Sequence, residues 1–229
     1  MGYPYPNPPP PPPPPPPPYP GYRSPSTYRR EKQPYQYGRP ISVSPDALVY
    51  LFPEYFAKRA RLGGFKAPYA NVKVSHKSLY KALVTVPIAY MEYMRVVDLR
   101  IVRKGRLFKH DEAVLVKLAE FNVQDYGLVS GVLGSVPVGY SADLRRCIYI
   151  AFFEDSYNPE KEYIRDVYRS RVKGRIRIDS QWDLARYRRE AETLYGIWVR
   201  QRGMKPREYS VAEKDADKAA DARRLGGEY

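Results

Sequence analysis

Aromatic and cationic residues alternate in the C-terminal part of this sequence, and their chemistry is the easiest to recognise. Tyr163 and Tyr168 are interleaved with arginines and lysines, and further arginines follow at 186 and 189. A guanidinium group binds phosphate through two parallel hydrogen bonds, and an exposed ring stacks on a base. The pattern predicts phosphate contacts with a nucleic acid, made by Arg165, Arg169, Arg171, Lys173, Arg175, Arg177, Arg186 and Arg189.

The same residues also allow a purely structural interpretation. Tyr163 and Tyr168 lie on or next to the apolar stripe of a predicted helix. Arg186 stands four residues before Glu190, the spacing of a surface ion pair on a helix. The sequence leaves both interpretations open.

Residues that could perform catalysis are sparse. His76 and His110 are isolated from each other and lack the spacing of metal ligands. Cys147, the single cysteine, lies in an apolar segment where a thiol is buried and inert. Glu154-Asp155 is an acidic pair at the end of a predicted strand, which is typical of a solvated turn. We therefore expect no enzymatic activity, no cofactor and no metal site.

The net charge of +14 indicates a polyanionic partner, and nucleic acid is the commonest one. The excess is +4 over residues 1–40, +5 over 41–159 and +6 over 160–209, whereas 210–229 carry −1. An anionic membrane surface, or a charge that serves only solubility, is the alternative. Without an apolar run near 18 residues we expect no membrane insertion, and a location in the cytoplasm or, for a viral protein, the virion.

Residues 113–146 resemble a helix-turn-helix DNA-binding unit. Leu133-Gly134 matches the Leu-Gly of the turn, Pro137 the start of the recognition helix, and Leu144 the buried anchor eleven residues after Leu133. The resemblance implies that the second helix enters the major groove, while the alternative is a Gly-rich apolar loop followed by a strand. The implied DNA contacts would come from Tyr140, Ser141, Asp143, Arg145 and Arg146.

Residues 81–121 are similar, in a different way, to ribbon-helix-helix repressors. The correspondence consists of a strand (KALVTV), Pro87, a helix, a turn near Gly105-Arg106 and a second helix from Asp111. It implies that alternate strand residues read the major groove, namely Lys81, Leu83 and Thr85. At most one of the two resemblances needs to be right.

The elements that must position these residues alternate irregularly, which indicates an α+β fold: a single compact domain of helices with a small sheet. Residues 79–86 are ambiguous between a strand and a buried helix. The predicted helices span 45–62 with a break at Pro53, 111–121, 159–173 and 181–202, and the predicted strands span 72–74, 95–103, 146–153 and 175–179.

Composition divides the chain into three parts. Residues 1–40 hold 17 of the 24 prolines and almost no aliphatic side chains, so they predict a disordered Pro/Tyr-rich arm. Its eleven consecutive prolines, Pro8–Pro18, would form a stiff spacer of about 34 Å. Residues 41–209 are predicted to form the globular domain, and residues 210–229 a solvated helix or a flexible charged tail.

These observations favour a non-enzymatic, basic nucleic-acid-binding protein, with DNA favoured over RNA. The scarcity of Thr, Asn, Gln and Cys is typical of a hyperthermophile or its virus. The alternative is a structural or scaffolding protein, such as a virion or assembly component, whose Pro/Tyr-rich arm contacts other proteins. The sequence leaves open the sequence specificity of binding and the oligomeric state, including a homo-oligomer.

Overall fold

The structure, a computed structural model, describes residues 40–105, 109–151 and 158–225. Within these ranges the chain has the α+β fold expected from its sequence. The predicted arm, apart from Pro40, and the Glu154-Asp155 pair lie outside the described residues. The helices are α1 (Pro45–Leu51), α2 (Pro53–Phe56), α3 (His76–Tyr93), α4 (Gly131–Gly134), α5 (Leu144–Ala151), α6 (Pro159–Val167), α7 (Gln181–Met204) and α8 (Pro206–Arg224). The strands are β1 (Phe65–Lys66), β2 (Lys73–Val74), β3 (Val97–Lys104), β4 (His110–Lys117) and β5 (Ser141–Asp143).

The first predicted helix breaks where the sequence indicates but ends earlier than expected. Pro45 begins α1 and Pro53 begins α2, and the expected extension to Leu62 is wrong because α2 ends at Phe56. After α2 the chain turns away to run beside β2, where the Ala60 N–H donates to the Lys73 carbonyl at 2.9 Å. A partner in a neighbouring strand thus replaces the helical hydrogen bond.

The long helix α3 occupies the centre of the fold and contacts α1, α6, α7 and α8. It is buried on nearly every side from Leu79 to Met91, which resolves the ambiguous segment 79–86 as a helix. Pro87 lies inside α3 without ending it, because the surrounding elements hold the helix in place although proline lacks an N–H. The ribbon-helix-helix interpretation is therefore wrong, since its reading strand is a helix with Leu83 and Thr85 buried.

Strands β3 and β4 form an antiparallel hairpin that continues into β5. Leu99 pairs with Leu115, and Val114 pairs with Asp143. The helix predicted from Asp111 to Phe121 is wrong over this strand. Asp111-Glu112 resembled the acidic first turn of a helix, but valines alternate along the segment and fit a pleated surface.

The segment predicted as an interior strand, 146–153, begins within helix α5 instead. Leu144, Cys147, Ile148 and Ala151 are its buried residues, and their spacing of three, one and three is helical. The helix-turn-helix interpretation fails for two reasons. Its first helix, from Ala113, is strand β4, and no helix begins at Pro137, because the chain there leads into β5.

The two C-terminal helices predicted from capping patterns are confirmed. The Asn158 side chain accepts a hydrogen bond from the Lys161 N–H at 3.4 Å, and Ser180 accepts one from the Asp183 N–H at 3.1 Å. Helix α6 continues as a π-helical turn, Tyr168–Val172. Residues 175–179, predicted as a strand, form an irregular loop that connects this turn to α7.

Residues 206–224 form helix α8, so over the described part of the segment from Ser210 the helical alternative is confirmed and the flexible tail is wrong. Its alanines supply a narrow buried face, and α8 contacts α5, β4 and α3. The buried side chains are Tyr209, Val211, Ala212, Asp215, Ala216, Ala219 and Ala220. High charge suggested a solvated segment, but the alanine spacing places the charged residues on the opposite face.

Candidate nucleic-acid interface

One of the arginines predicted to contact phosphate, Arg171, is buried and structural. Arg171 retains only 6% of its side-chain exposure, and its Nη1 donates to the Gln124 side-chain oxygen at 2.6 Å. Its Nε lies 3.7 Å from Asp46, a fully buried carboxylate that also accepts the Leu128 N–H at 3.0 Å. Arg171 therefore joins three distant segments of the chain, and the prediction that it contacts phosphate is wrong.

Arg145 has a similar structural role between α5, α8 and β4. Its Nε donates to Asp215 at 2.8 Å, and its Nη2 lies 3.2 Å from Glu112. Burial alone would raise the pKa of Glu112, but hydrogen bonds from Lys104 and His110, together with the charge of Arg145, hold it below its usual value. Arg145 is used within the fold, and its role in binding DNA stays a prediction. Arg146, the next residue, is exposed on α5.

Arg165 of α6 and Arg169 of the π-helical turn are exposed but paired. Arg165 lies 2.8 Å from Glu162, and Arg169 lies 3.6 Å from Glu162 and 3.7 Å from Asp166. Tyr163 is fully buried, so the expected stacking of this ring on a base is wrong. Phosphate would have to compete here with two carboxylates that are themselves largely buried.

The loop after the π-helical turn and the outer face of α7 carry cations without such partners. Lys173, Arg175 and Arg177 are exposed in this loop. Among the described residues, no carboxylate lies within ion-pair distance of these three side chains or of Arg189. The ion pair proposed between Arg186 and Glu190 is wrong: Arg186 lies 3.8 Å from Asp183, and Glu190 accepts hydrogen bonds from Ser42.

A single stripe of exposed residues runs along the outer face of α7. Its members follow one another at alternating intervals of four and three residues, which keeps them on one side of a helix. No carboxylate is part of it, and Trp182 at its first position is 83% exposed. We call this set the α7 stripe: Trp182, Arg186, Arg189, Thr193, Gly196, Arg200 and Gly203. Its three guanidinium groups are spread over about 21 Å at 1.5 Å per residue.

A second basic surface lies in a region that the sequence reasoning did not single out. Residues 55–91 hold seven lysines and arginines and no Asp or Glu. A single count over 41–159 hid this excess, and counting over shorter windows would have found it. Five of these cations are exposed around β1 and β2 without an ion pair to any described residue, and we call them the hairpin patch: Lys58, Arg59, Arg61, Lys66 and Lys73.

A row of aromatic rings connects the hairpin to the π-helical turn. Phe65 of β1 meets Tyr50 edge-on at 5.2 Å between ring centroids, and Tyr50 stacks on Tyr168 at 5.5 Å. Tyr168 remains 38% exposed. The row thus provides a partly exposed aromatic surface between the hairpin patch and Arg169.

A third candidate, a groove of about 550 Å³ beside α7, differs from these surfaces in its charge balance. Tyr195 and Trp198 line it, and three of its four cations, Lys77, Lys81 and Arg202, lie within ion-pair distance of a carboxylate. Lys81 lies 2.8 Å from Asp217, and Arg202 lies 2.9 Å from Glu213. The groove therefore carries less unpaired positive charge than the hairpin patch, with which it shares Lys58, or than the α7 stripe with Arg189 and Arg200.

Comparison with known proteins adds no relative from which a function could be transferred. No protein-family model matches the chain, and no curated protein or solved structure matches it. None of the helices in the described ranges is long and apolar enough to cross a membrane.

Proposed function

We propose that this protein binds nucleic acid, DNA in the first instance, and that it acts as a binding protein rather than an enzyme. The observation that carries the proposal is the α7 stripe. None of its members is a carboxylate, and it presents Arg189 and Arg200 without an ion pair to any described residue and Arg186 at 3.8 Å from Asp183. The exposed loop cations Lys173 and Arg175 extend the positive surface beyond the start of α7.

The regular spacing of charge favours an extended polyanion as the ligand. Guanidinium groups spread over about 21 Å of helix meet several phosphates of a nucleic acid, whereas a small anion meets only one. A second copy of the same face would oppose arginine with arginine and be repelled. Contacts of this kind are sequence-tolerant, because phosphates carry no sequence information.

The test is the salt dependence of oligonucleotide binding by the full chain. Counterion release predicts that the slope of log K against log salt falls by about 0.9 for each duplex phosphate contact removed. The triple variant Arg186→Gln, Arg189→Gln and Arg200→Gln should therefore bind a 20-base-pair DNA with a slope smaller by about 2.7. Fluorescence anisotropy between 50 and 300 mM salt measures this slope.

A matched control removes the same charge elsewhere. The triple variant Arg103→Gln, Lys109→Gln and Lys218→Gln neutralises three exposed cations on β3, before β4 and on α8. It should leave the slope nearly unchanged. An equal slope in the two triple variants, or no binding by the wild type at 50 mM salt, would refute the proposal; RNA probes of the same length measure the preference for DNA.

The alternative function, assembly through the Pro/Tyr-rich arm, involves residues outside the described ranges and stays a prediction.

A further inference from the structure

We infer that the β1–β2 hairpin is a second phosphate-binding site for nucleic acid, in which Lys66 and Lys73 hold one phosphate between them. The inference takes its ligand class from the proposed function but depends on different residues. Its basis is the register of the hairpin, which forces two like charges together on one face.

The register places the two lysines directly opposite each other. Lys66 pairs with Lys73, and Phe65 pairs with Val74, in antiparallel orientation. The Ala67 N–H donates to the Val72 carbonyl at 3.0 Å, so the neighbouring pair is hydrogen-bonded. Lys66 and Lys73 therefore form the non-hydrogen-bonded kind of pair, in which facing side chains are closest.

Such a pair destabilises the free protein. Like charges directly opposite each other on two strands repel, and no described carboxylate lies within ion-pair distance of either ammonium group. A bound phosphate would remove this repulsion and gain a charge-assisted hydrogen bond from each lysine. The free-energy gain on binding is thus larger than for two separate lysines.

The backbone holds the hairpin in place before any ligand arrives. The Lys73 carbonyl accepts the Ala60 N–H, and the Lys58 carbonyl accepts the Ser75 N–H, both at 2.9 Å. Gly64 allows the chain to approach β2 closely, because a Cβ at this position would lie 2.5 Å from the Val74 carbonyl oxygen. The two lysines therefore project from a fixed three-segment ribbon rather than from a free loop.

The surroundings of the pair favour nucleic acid over other polyanions. Lys58, Arg59 and Arg61 add charge on the neighbouring segment, so the site can follow a chain of phosphates. The aromatic row begins at Phe65, whose side chain lies on the face of the hairpin opposite Lys66, so a nucleic acid bound to the lysine pair reaches the rings only at their exposed end, Tyr168.

The experiment uses charge reversal at one member of the pair. In the full chain, Lys66→Glu converts the repulsive pair into an ion pair with Lys73, so the melting temperature should rise by about 1–3 °C. The one phosphate that the two lysines share is no longer held, so the duplex salt slope should fall by about 0.9, whereas Lys66→Gln leaves Lys73 to bind that phosphate and should lower the slope by less. Stability and binding therefore change in opposite directions.

Lys218→Glu is the matched control, because it makes the same change in net charge on an exposed residue of α8. It should leave the salt slope unchanged and should not stabilise the protein. A lower melting temperature for Lys66→Glu would overturn the opposed-pair argument, and an unchanged salt slope would overturn the site.

The binding experiments distinguish a failure of the proposed function from a failure of the hairpin site alone. No oligonucleotide binding by the wild type refutes both proposals. Binding that depends on the α7 stripe but not on Lys66 refutes only the hairpin site, and the reverse result refutes only the role of α7. Binding to vesicles with anionic lipid that depends on Lys66, without oligonucleotide binding, would assign the hairpin to a membrane surface and overturn the inference.

Discussion

Asp215 provides the sharpest test of how the C-terminal helix is integrated into the fold. Its carboxylate is fully buried on α8 and accepts two hydrogen bonds, from the Ala113 N–H at 2.7 Å and from Arg145 Nε at 2.8 Å. Substitution by alanine removes both and leaves a buried N–H and a largely buried guanidinium without this acceptor. We expect Asp215→Ala to destabilise the whole domain rather than to loosen only its end.

The magnitude follows from the partners that remain. Removing one partner of a buried ion pair lowers the free energy of unfolding by about 3–5 kcal/mol. Arg145 keeps Glu112 at 3.2 Å, which points to the lower end, about 3 kcal/mol. That is a large part of the roughly 5–15 kcal/mol by which domains are stable. For a folded domain of this size it corresponds to a fall in melting temperature of about 6–12 °C.

Asp221→Ala on the same helix is the control, because its carboxylate is 61% exposed and, among the described residues, forms an ion pair only with Arg224, three positions later. Both substitutions replace aspartate by alanine in α8, so the gain in helix propensity cancels in the comparison. Urea denaturation followed by circular dichroism gives both free energies of unfolding. Equal stability of the two variants would refute the packing of α8 against β4 and restore the flexible tail.

Two further predictions concern stability. Gly196→Ala should stabilise the free protein by about 1 kcal/mol, because a Cβ at this position of α7 meets nothing within 4 Å and alanine favours a helix. An unchanged urea midpoint would contradict the conclusion that this face of α7 is open to solvent. Burial alone would raise the pKa of Asp98, but hydrogen bonds from Lys205 and Arg100 hold it below its usual value of 3.8. Ionised Asp98 therefore stabilises the fold above about pH 4, and this stabilisation is lost as the pH falls through the lowered pKa. The difference in urea midpoint between wild type and Asp98→Asn should shrink below pH 4, and a constant difference would refute this assignment.

The sequence predicted the parts of the fold that depend on local signals. Ser180 and Asn158 marked the starts of α7 and α6, because capping residues act on the backbone within three positions. The segment from Asp111 was misread because acidic residues before an apolar run also begin helices. Its strand conformation depends on pairing with β3, a contact with residues that a local pattern does not include.

The candidate site was predicted only in part, for a similar reason. Arg189 and Lys173 are exposed as expected, whereas Arg171 and Arg145 pair with buried carboxylates from distant segments. A run of arginines in the sequence does not show which of them will form ion pairs inside the fold and which will stay exposed. The partner of Arg171, Asp46, lies 125 positions earlier in the sequence, so no spacing rule could have identified the pair.

The burial of Cys147 makes the reaction rate of its thiol a measure of how often the core around α5 opens. This single thiol is fully buried in α5, and burial raises its pKa to about 12, so almost no thiolate exists in the closed molecule at neutral pH. A disulfide reagent reacts only with thiolate, and access to Cys147 requires the packing around α5 to separate. The labelling rate at this position therefore reports how often α5 leaves the core, without any introduced probe.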